Sequence, residues 1–227
     1  MSEAFDAYSV SYEDVVQNSV GFSGLEHKFF LKAKIMVLSK LFSTHFSDKL
    51  PELLDVGCGV GLMHPLILPY LSRLAGADTS REAVDRARHD NPGVDYRHCS
   101  KGNLPWPSAS FDAVLAVCVI HHVPPSERDN LVAEMRRVTR PGGLVIMIEH
   151  NPWNPLTRLA VARCPFDHDA ELLDASHAKN LLRNASLHSI ESEHFLLFPS
   201  LSPLACRIQS IFKQIPAGAQ YLAAGRR

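Results

Sequence analysis

The chain has 227 residues, 46% of them apolar and 21% charged, with a formal charge of -1 at pH 7. That length carries one sizeable core and is short for two, and the near-neutral balance argues against a broad basic face for nucleic acid. Five cysteines without a CxxC pair read as reduced thiols rather than a disulfide frame or zinc site, and the acidic start MSEAFDAYSVSYED is no signal peptide. The expectation is one cytoplasmic domain over residues 1–227.

Taken in order, Tyr12 to Phe46 places Phe29, Phe30, Ala33, Val37, Leu38 and Leu41 at helical spacing, and residues 47–51 break the pattern. Residues 1–50 therefore read as a helical segment. In it, Tyr8, Tyr12 and Phe22 either pack in the core or fold over a ligand as a lid. ELLDV and RLAGAD are candidate strands around a short or kinked helix near Leu62 to Leu71, because Pro69 opposes a regular one. SREAVDRARHD follows as a helix capped by Ser80, then VDYRHC as a third strand and FDAVLAVCVI as a strand covered on both faces. SERDNLVAEMRRVTR is an amphipathic helix ended by PGG. LVIMIE is a fifth strand, and Asn151 to Asp167 reads as a long irregular wall. A helix through DAELLDASHAKNLLRNA and strands in SIESEHFLLF and AQYLAAG complete the chain. This alternation predicts an α/β, Rossmann-like, mostly parallel sheet with helices on both faces, and ligands at the carboxyl ends of its strands.

The stretch LLDVGCGVG, Leu53 to Gly61, follows the first strand. Its glycines, Gly57-x-Gly59-x-Gly61, lack the G-x-G-x-x-G spacing of a dinucleotide loop, which counts against a nicotinamide-dependent oxidoreductase. Asp55 beside the loop favours a cationic ligand over a diphosphate, and Asp78 at the end of the second strand is placed for ribose hydroxyls. Capping the next helix is the plainer use of Asp78.

Four blocks in order, LLDVGCGVG, GADTS, LPWPSASFDAVLAVCVIHHV and MRRVTRPGGLVIMIE, resemble the class I S-adenosylmethionine-dependent methyltransferases, specifically their small-molecule branch. The resemblance implies a seven-stranded sheet with a final antiparallel strand and S-adenosyl-L-methionine as cofactor. It divides the chain into a cofactor-binding half, 51–150, and an acceptor-side half, 151–227. Carried over by position, Asp55, Gly57, Cys58, Gly59 and Gly61 surround the methionine part. Asp78 and Thr79 sit at the ribose, Ser100 and Lys101 flank the adenine, and Cys118 and Val119 close the other side. The family has an aspartate where Ser100 stands.

Candidate catalytic groups lie at the ends of strands four and five. His121 and His122 are a general base or loop-bonding residues; no nearby acid spacing completes a metal site with them, so none is expected. Glu149 and His150 orient an acceptor or bond the loop. Arg158, Arg163 and Asp167 are candidate anchors for polar substrate groups. The implied partner is a small-molecule acceptor methylated on O or N. A non-catalytic cofactor-binding module is the remaining alternative, and it would have a closed pocket. No segment is a good membrane span, though Phe195 to Phe212 holds a lipid- or partner-facing patch as a lesser alternative to core packing. Oligomeric state is left open.

Overall fold

Apolar runs and their breaks settle into seven strands and eight α-helices among the residues described by the computed structural model, 12–47, 49–100 and 102–227. In chain order these are α1 (Tyr12–Val20), α2 (His27–Phe46), β1 (Glu52–Val56), α3 (His64–Ile67), β2 (Arg73–Asp78), α4 (Arg81–Asp90), β3 (Asp95–His98) and β4 (Phe111–Val117). Then come α5 (Pro125–Val138), β5 (Thr139–His150), α6 (Pro155–Arg163), α7 (Ala175–Asn184), β6 (His188–Phe195), α8 (Pro203–Ile211) and β7 (Gln220–Arg226).

The strands form one sheet in the order β3-β2-β1-β4-β5-β7-β6. β1 to β5 pair in parallel, and β7 enters antiparallel between β5 and β6. Successive residues of a strand point to opposite faces, and here both faces are covered. Leu54, Val114, Ala116, Val145 and Met147 join Met135 and Leu182 on one side. Leu53, Ala113, Leu115, Ile146 and Ile148 join Leu38, Phe42 and Ile67 on the other. Leu115 is fully buried, so its truncation to alanine costs roughly 2–5 kcal/mol.

The strand order reverses between β1 and β4. The loops leaving their carboxyl ends diverge there and open a crevice, the usual ligand position in such sheets. Helix caps set the flanking elements. Ser80 accepts the Ala83 amide at the start of α4, and Asp174 accepts those of Ser176 and His177 at the start of α7.

Several expectations are corrected. The helix expected over Tyr12 to Phe46 is two helices, parted by a 3-10 turn at Gly21–Ser23 and by Gly24, whose φ of +71° suits glycine. PGG does not stop α5 from outside. The helix ends at Val138, and residues 140–143 bulge within β5, which shifts register between Phe111 and Ala113. The piece from Asn151 to Asp167 is mostly ordered: Asn154 caps α6 through the Leu156 and Thr157 amides, and a 3-10 turn spans Pro165–Asp167. Core packing explains only the beginning of Phe195 to Phe212. Phe195 and Leu196 are buried, whereas α8 has no buried residue and Leu204 and Ile211 are about 70% exposed. Among the described residues no helix is long and apolar enough to cross a membrane.

Candidate active site

One cavity of about 850 Å³ opens at the carboxyl ends of the strands. Its first end is built by the loop after β1. Gly57, Gly59 and Gly61 all take positive φ, between +53° and +76°, which bends the backbone at little steric cost. A Cβ on Gly57 would strike the Val119 side chain, but one on Gly59 would meet no protein atom. The space over Gly59 is therefore left for something other than the protein. Asp78 lies opposite, with Oδ2 accepting the Gly59 amide at 2.8 Å and Oδ1 accepting the Ser80 amide at 2.8 Å. Burial raises its pKa while these amides oppose the rise, and each oxygen keeps acceptor capacity for a hydroxyl. Thr79, Ser100, Cys118 and Val119 also line this end. Cys118, the residue after β4, has a φ of +56°, uncommon for a residue other than glycine and here imposed where chain and cavity meet.

At the second end, the 3-10 turn Ile120–His122 is pinned from beneath by Glu149. One carboxylate oxygen accepts the Val119 and Ile120 amides at 3.1 and 2.7 Å, and the other lies 2.5 Å from His121 Nδ1. His121 and Glu149 are fully enclosed. Burial alone would lower the His121 pKa, but Glu149 and Asp167 outweigh it and raise it to about 10. The same pairing keeps the Glu149 pKa below its ordinary value against the cost of burial. Asp167 Oδ1 lies 3.2 Å from His122 Nε2 and 3.4 Å from His121 Nε2, the latter an ion pair rather than a hydrogen bond. His150 lines the cavity beside them, and burial, then His121, lower its pKa to about 4.

The cavity thus joins a glycine cradle and the Asp78 carboxylate to a histidine cluster. Residues 54–147 match the model of the methyltransferase domain family. That segment is a methyltransferase domain of the S-adenosylmethionine-dependent type. It is 36% identical over 100 residues to a protein of Mycolicibacterium smegmatis named probable S-adenosylmethionine-dependent methyltransferase, covering 44% of this chain and 38% of that one. It is 35% identical over 116 residues to a phosphatidylethanolamine N-methyltransferase of Cereibacter sphaeroides, covering 48% of this chain and 55% of that one. Those matches thus span about half or less of the relatives' own length. Among solved structures, a SAM-dependent methyltransferase from Thermotoga maritima shares the fold at a TM-score of 0.67 and 18% identity, over 100% of this chain and 99% of that one. The cofactor of the family is S-adenosyl-L-methionine, and the open space over Gly59 and the unfilled acceptor capacity of Asp78 fit it.

Four of the expected site residues lie away from the cavity wall. Asp55, Cys58, Gly61 and Glu149 do not line the cavity. Asp55 is buried at 4% exposure, and its Oδ2 lies 3.0 Å from His64 Nε2, while His64 Nδ1 bonds the Tyr96 hydroxyl. The acid that looked suited to a cationic ligand instead anchors a buried histidine. Gly61 is small for the same trio, since a Cβ there would meet the Tyr96 oxygen at 2.6 Å. Cys58 lies close behind Gly76, and burial, then Asp55 and Asp78, push its thiol pKa well up. Glu149 supports the turn from below. Lys101, Tyr8 and the Tyr12 side chain lie outside the described residues.

The absence of an acid near the histidines is also corrected. Asp167 comes from a distant segment, and His121, His122 and Asp167 present donors within 4.8 Å of one another, as a divalent ion would need. The three also satisfy one another as ion pairs. Of the other anchors, Arg163 lies over the Phe22 ring at 5.0 Å, and Arg158 does not line the cavity. Phe22 does. Sequence reasoning missed Lys34 and Gln220, both buried in the cavity wall. A lysine within the apolar stripe of α2 was the available signal for the first. Gln220 carried none.

Proposed function

We propose that the chain transfers a methyl group from S-adenosyl-L-methionine to an O or N atom of a small acceptor. The observation that carries this reading is continuity: a single cavity runs from Gly59 and Asp78 to His122 and His150. A cavity of that size is ample for a cofactor and a compact acceptor together. The bound cofactor supplies an electrophilic methyl carbon on a sulfonium. Asp78 and Thr79 hold the ribose, Gly57 and Gly59 present backbone to the methionine part, Ser100 flanks the adenine, and Cys118 and Val119 close the opposite side.

At the acceptor end, His122 removes the proton. Asp167 engages its Nε2, which fixes the tautomer with Nδ1 as the basic nitrogen. His121 is held as an imidazolium by Glu149 and steadies Asp167 in turn. Glu149 and His121 are positioning residues. Phe22, Leu156 and Phe166 give this end of the cavity an apolar lining.

The test is incubation of the chain with methyl-labelled cofactor and a metabolite extract, followed by identification of the labelled product. Binding of S-adenosylhomocysteine without any labelled O- or N-methyl product would leave a non-catalytic binding module. Retention of NADH in its place would overturn the cofactor assignment.

A further inference from the structure

Lysine is among the side chains least often buried without a partner, because an unpaired ammonium loses its hydration. Lys34 lies within α2, is 7% exposed and lines the cavity. Among the described residues no carboxylate pairs with it, and the carboxylates on and behind that wall are engaged elsewhere or remote. Asp167 pairs with His121 and His122, Glu149 is spent on His121 and two amides, and Asp78 binds the Gly59 and Ser80 amides at the other end. Glu127 is exposed at the start of α5.

The Lys34 amine has two uncharged imidazoles beside it, those of His27 and His150. Its charge acts on His27, Cys118 and His150, which places it between α2 and the ends of β4 and β5. Burial and the Lys34 charge lower the His27 pKa to about 4, and His150 is held equally low, so neither competes as a cation near pH 7. Two further buried atoms nearby lack partners, His27 Nδ1 and Gln220 Oε1, and both residues line the cavity. This wall offers one strong cationic donor and two polar atoms with no partner among the described residues.

We propose that Lys34 is an anion-binding group of the cavity, taking a carboxylate or phosphate of a bound molecule. The assignment rests on the methyltransferase reading for what enters the cavity. Two sources share the chemistry: the carboxylate of the cofactor's amino-acid part, and an acidic group on the acceptor. In the second case the acceptor belongs to the carboxylated or phosphorylated metabolites, and Lys34 selects it against neutral analogues.

The test uses the wild-type chain, Lys34→Met and Lys34→Arg. Lys34→Met removes a buried unpaired charge at similar volume, so its unliganded form is expected to melt at or above the wild-type temperature. S-adenosylhomocysteine and methylthioadenosine, which lacks the amino-acid part, are titrated calorimetrically into each. Inorganic phosphate and acetate are then added to the S-adenosylhomocysteine complex, with thermal stabilisation as the readout.

If the cofactor's carboxylate is the anion, Lys34→Met weakens S-adenosylhomocysteine at least about tenfold and leaves methylthioadenosine unchanged. If the acceptor brings the anion, S-adenosylhomocysteine is unaffected, and the stabilisation by phosphate or acetate disappears in Lys34→Met and persists in Lys34→Arg. No difference between wild type and Lys34→Met in either arm overturns the proposal. Failure of the wild type to bind S-adenosylhomocysteine overturns the methyltransferase reading instead.

Discussion

His122 Nε2 lies 3.2 Å from Asp167 Oδ1, across the wall shared by the ends of β4 and α6. The pair supplies an oriented imidazole at the acceptor end. His122→Ala is expected to lower turnover roughly a hundredfold or more, the usual scale for a lost general base, with calorimetric affinity for S-adenosylhomocysteine retained. Asp167→Asn should act in the same direction and more weakly. Equal turnover in wild type and both variants would leave the pair a structural role only.

Asp78 is held by the Gly59 and Ser80 amides with acceptor capacity to spare. Asp78→Ala should weaken S-adenosylhomocysteine by roughly ten- to a hundredfold, as expected for charge-assisted bonds to hydroxyls. Unchanged affinity by calorimetry would remove the ribose role.

Glu149 holds the turn after β4 and a buried imidazolium. Breaking one partner of such a pair costs roughly 3–5 kcal/mol, so Glu149→Gln should lose stability of that order in urea titration. A loss under about 1 kcal/mol, the value of an exposed pair, would contradict the buried arrangement.

Stability should pass through a maximum with pH. His27 and His150 have their pKa lowered to about 4 from an ordinary 6.5, so between these values the unfolded chain binds more protons and stability rises with pH. Glu149, with its pKa lowered, adds stability that is present above its ordinary 4.5 and lost in acid. His121 has the opposite sign. Raised to about 10, it contributes fully below 6.5 and loses that contribution as pH climbs. The melting temperature should rise from pH 4 to about 6.5 and fall towards pH 10. A level profile above 6.5 would contradict the imidazolium.

A chelator should leave turnover unchanged, because Asp167 neutralises the histidines without an ion. Inhibition by a chelator, reversed by a divalent cation, would give the three converging donors to a metal instead.

The glycine-loop end of the cavity was largely legible in the sequence because its parts are local. Three glycines bend one loop, and Asp78 sits where its strand stops. Asp55 misled because adjacency to a glycine loop says nothing of direction: its side chain turns back to His64, and that pairing with Tyr96 spans two other elements. The acceptor end was legible only in fragments. His121 and Glu149 were each conspicuous, but their contact depends on β4 and β5 lying side by side, and Asp167 arrives from beyond α6. The PGG bulge was hidden for the opposite reason, since glycine and proline more often end an element than continue one.

The insertion of β7 between β5 and β6 also orders events in time. β6 precedes β7 along the chain yet pairs in the sheet only with it, so a ribosome that has delivered β6 has delivered an edge with nowhere to attach. Until Gln220–Arg226 emerges, the flank of β5 stays bare and the wall contributed by Gln220 is missing. The candidate site is therefore complete only once β7 has docked between its two neighbours.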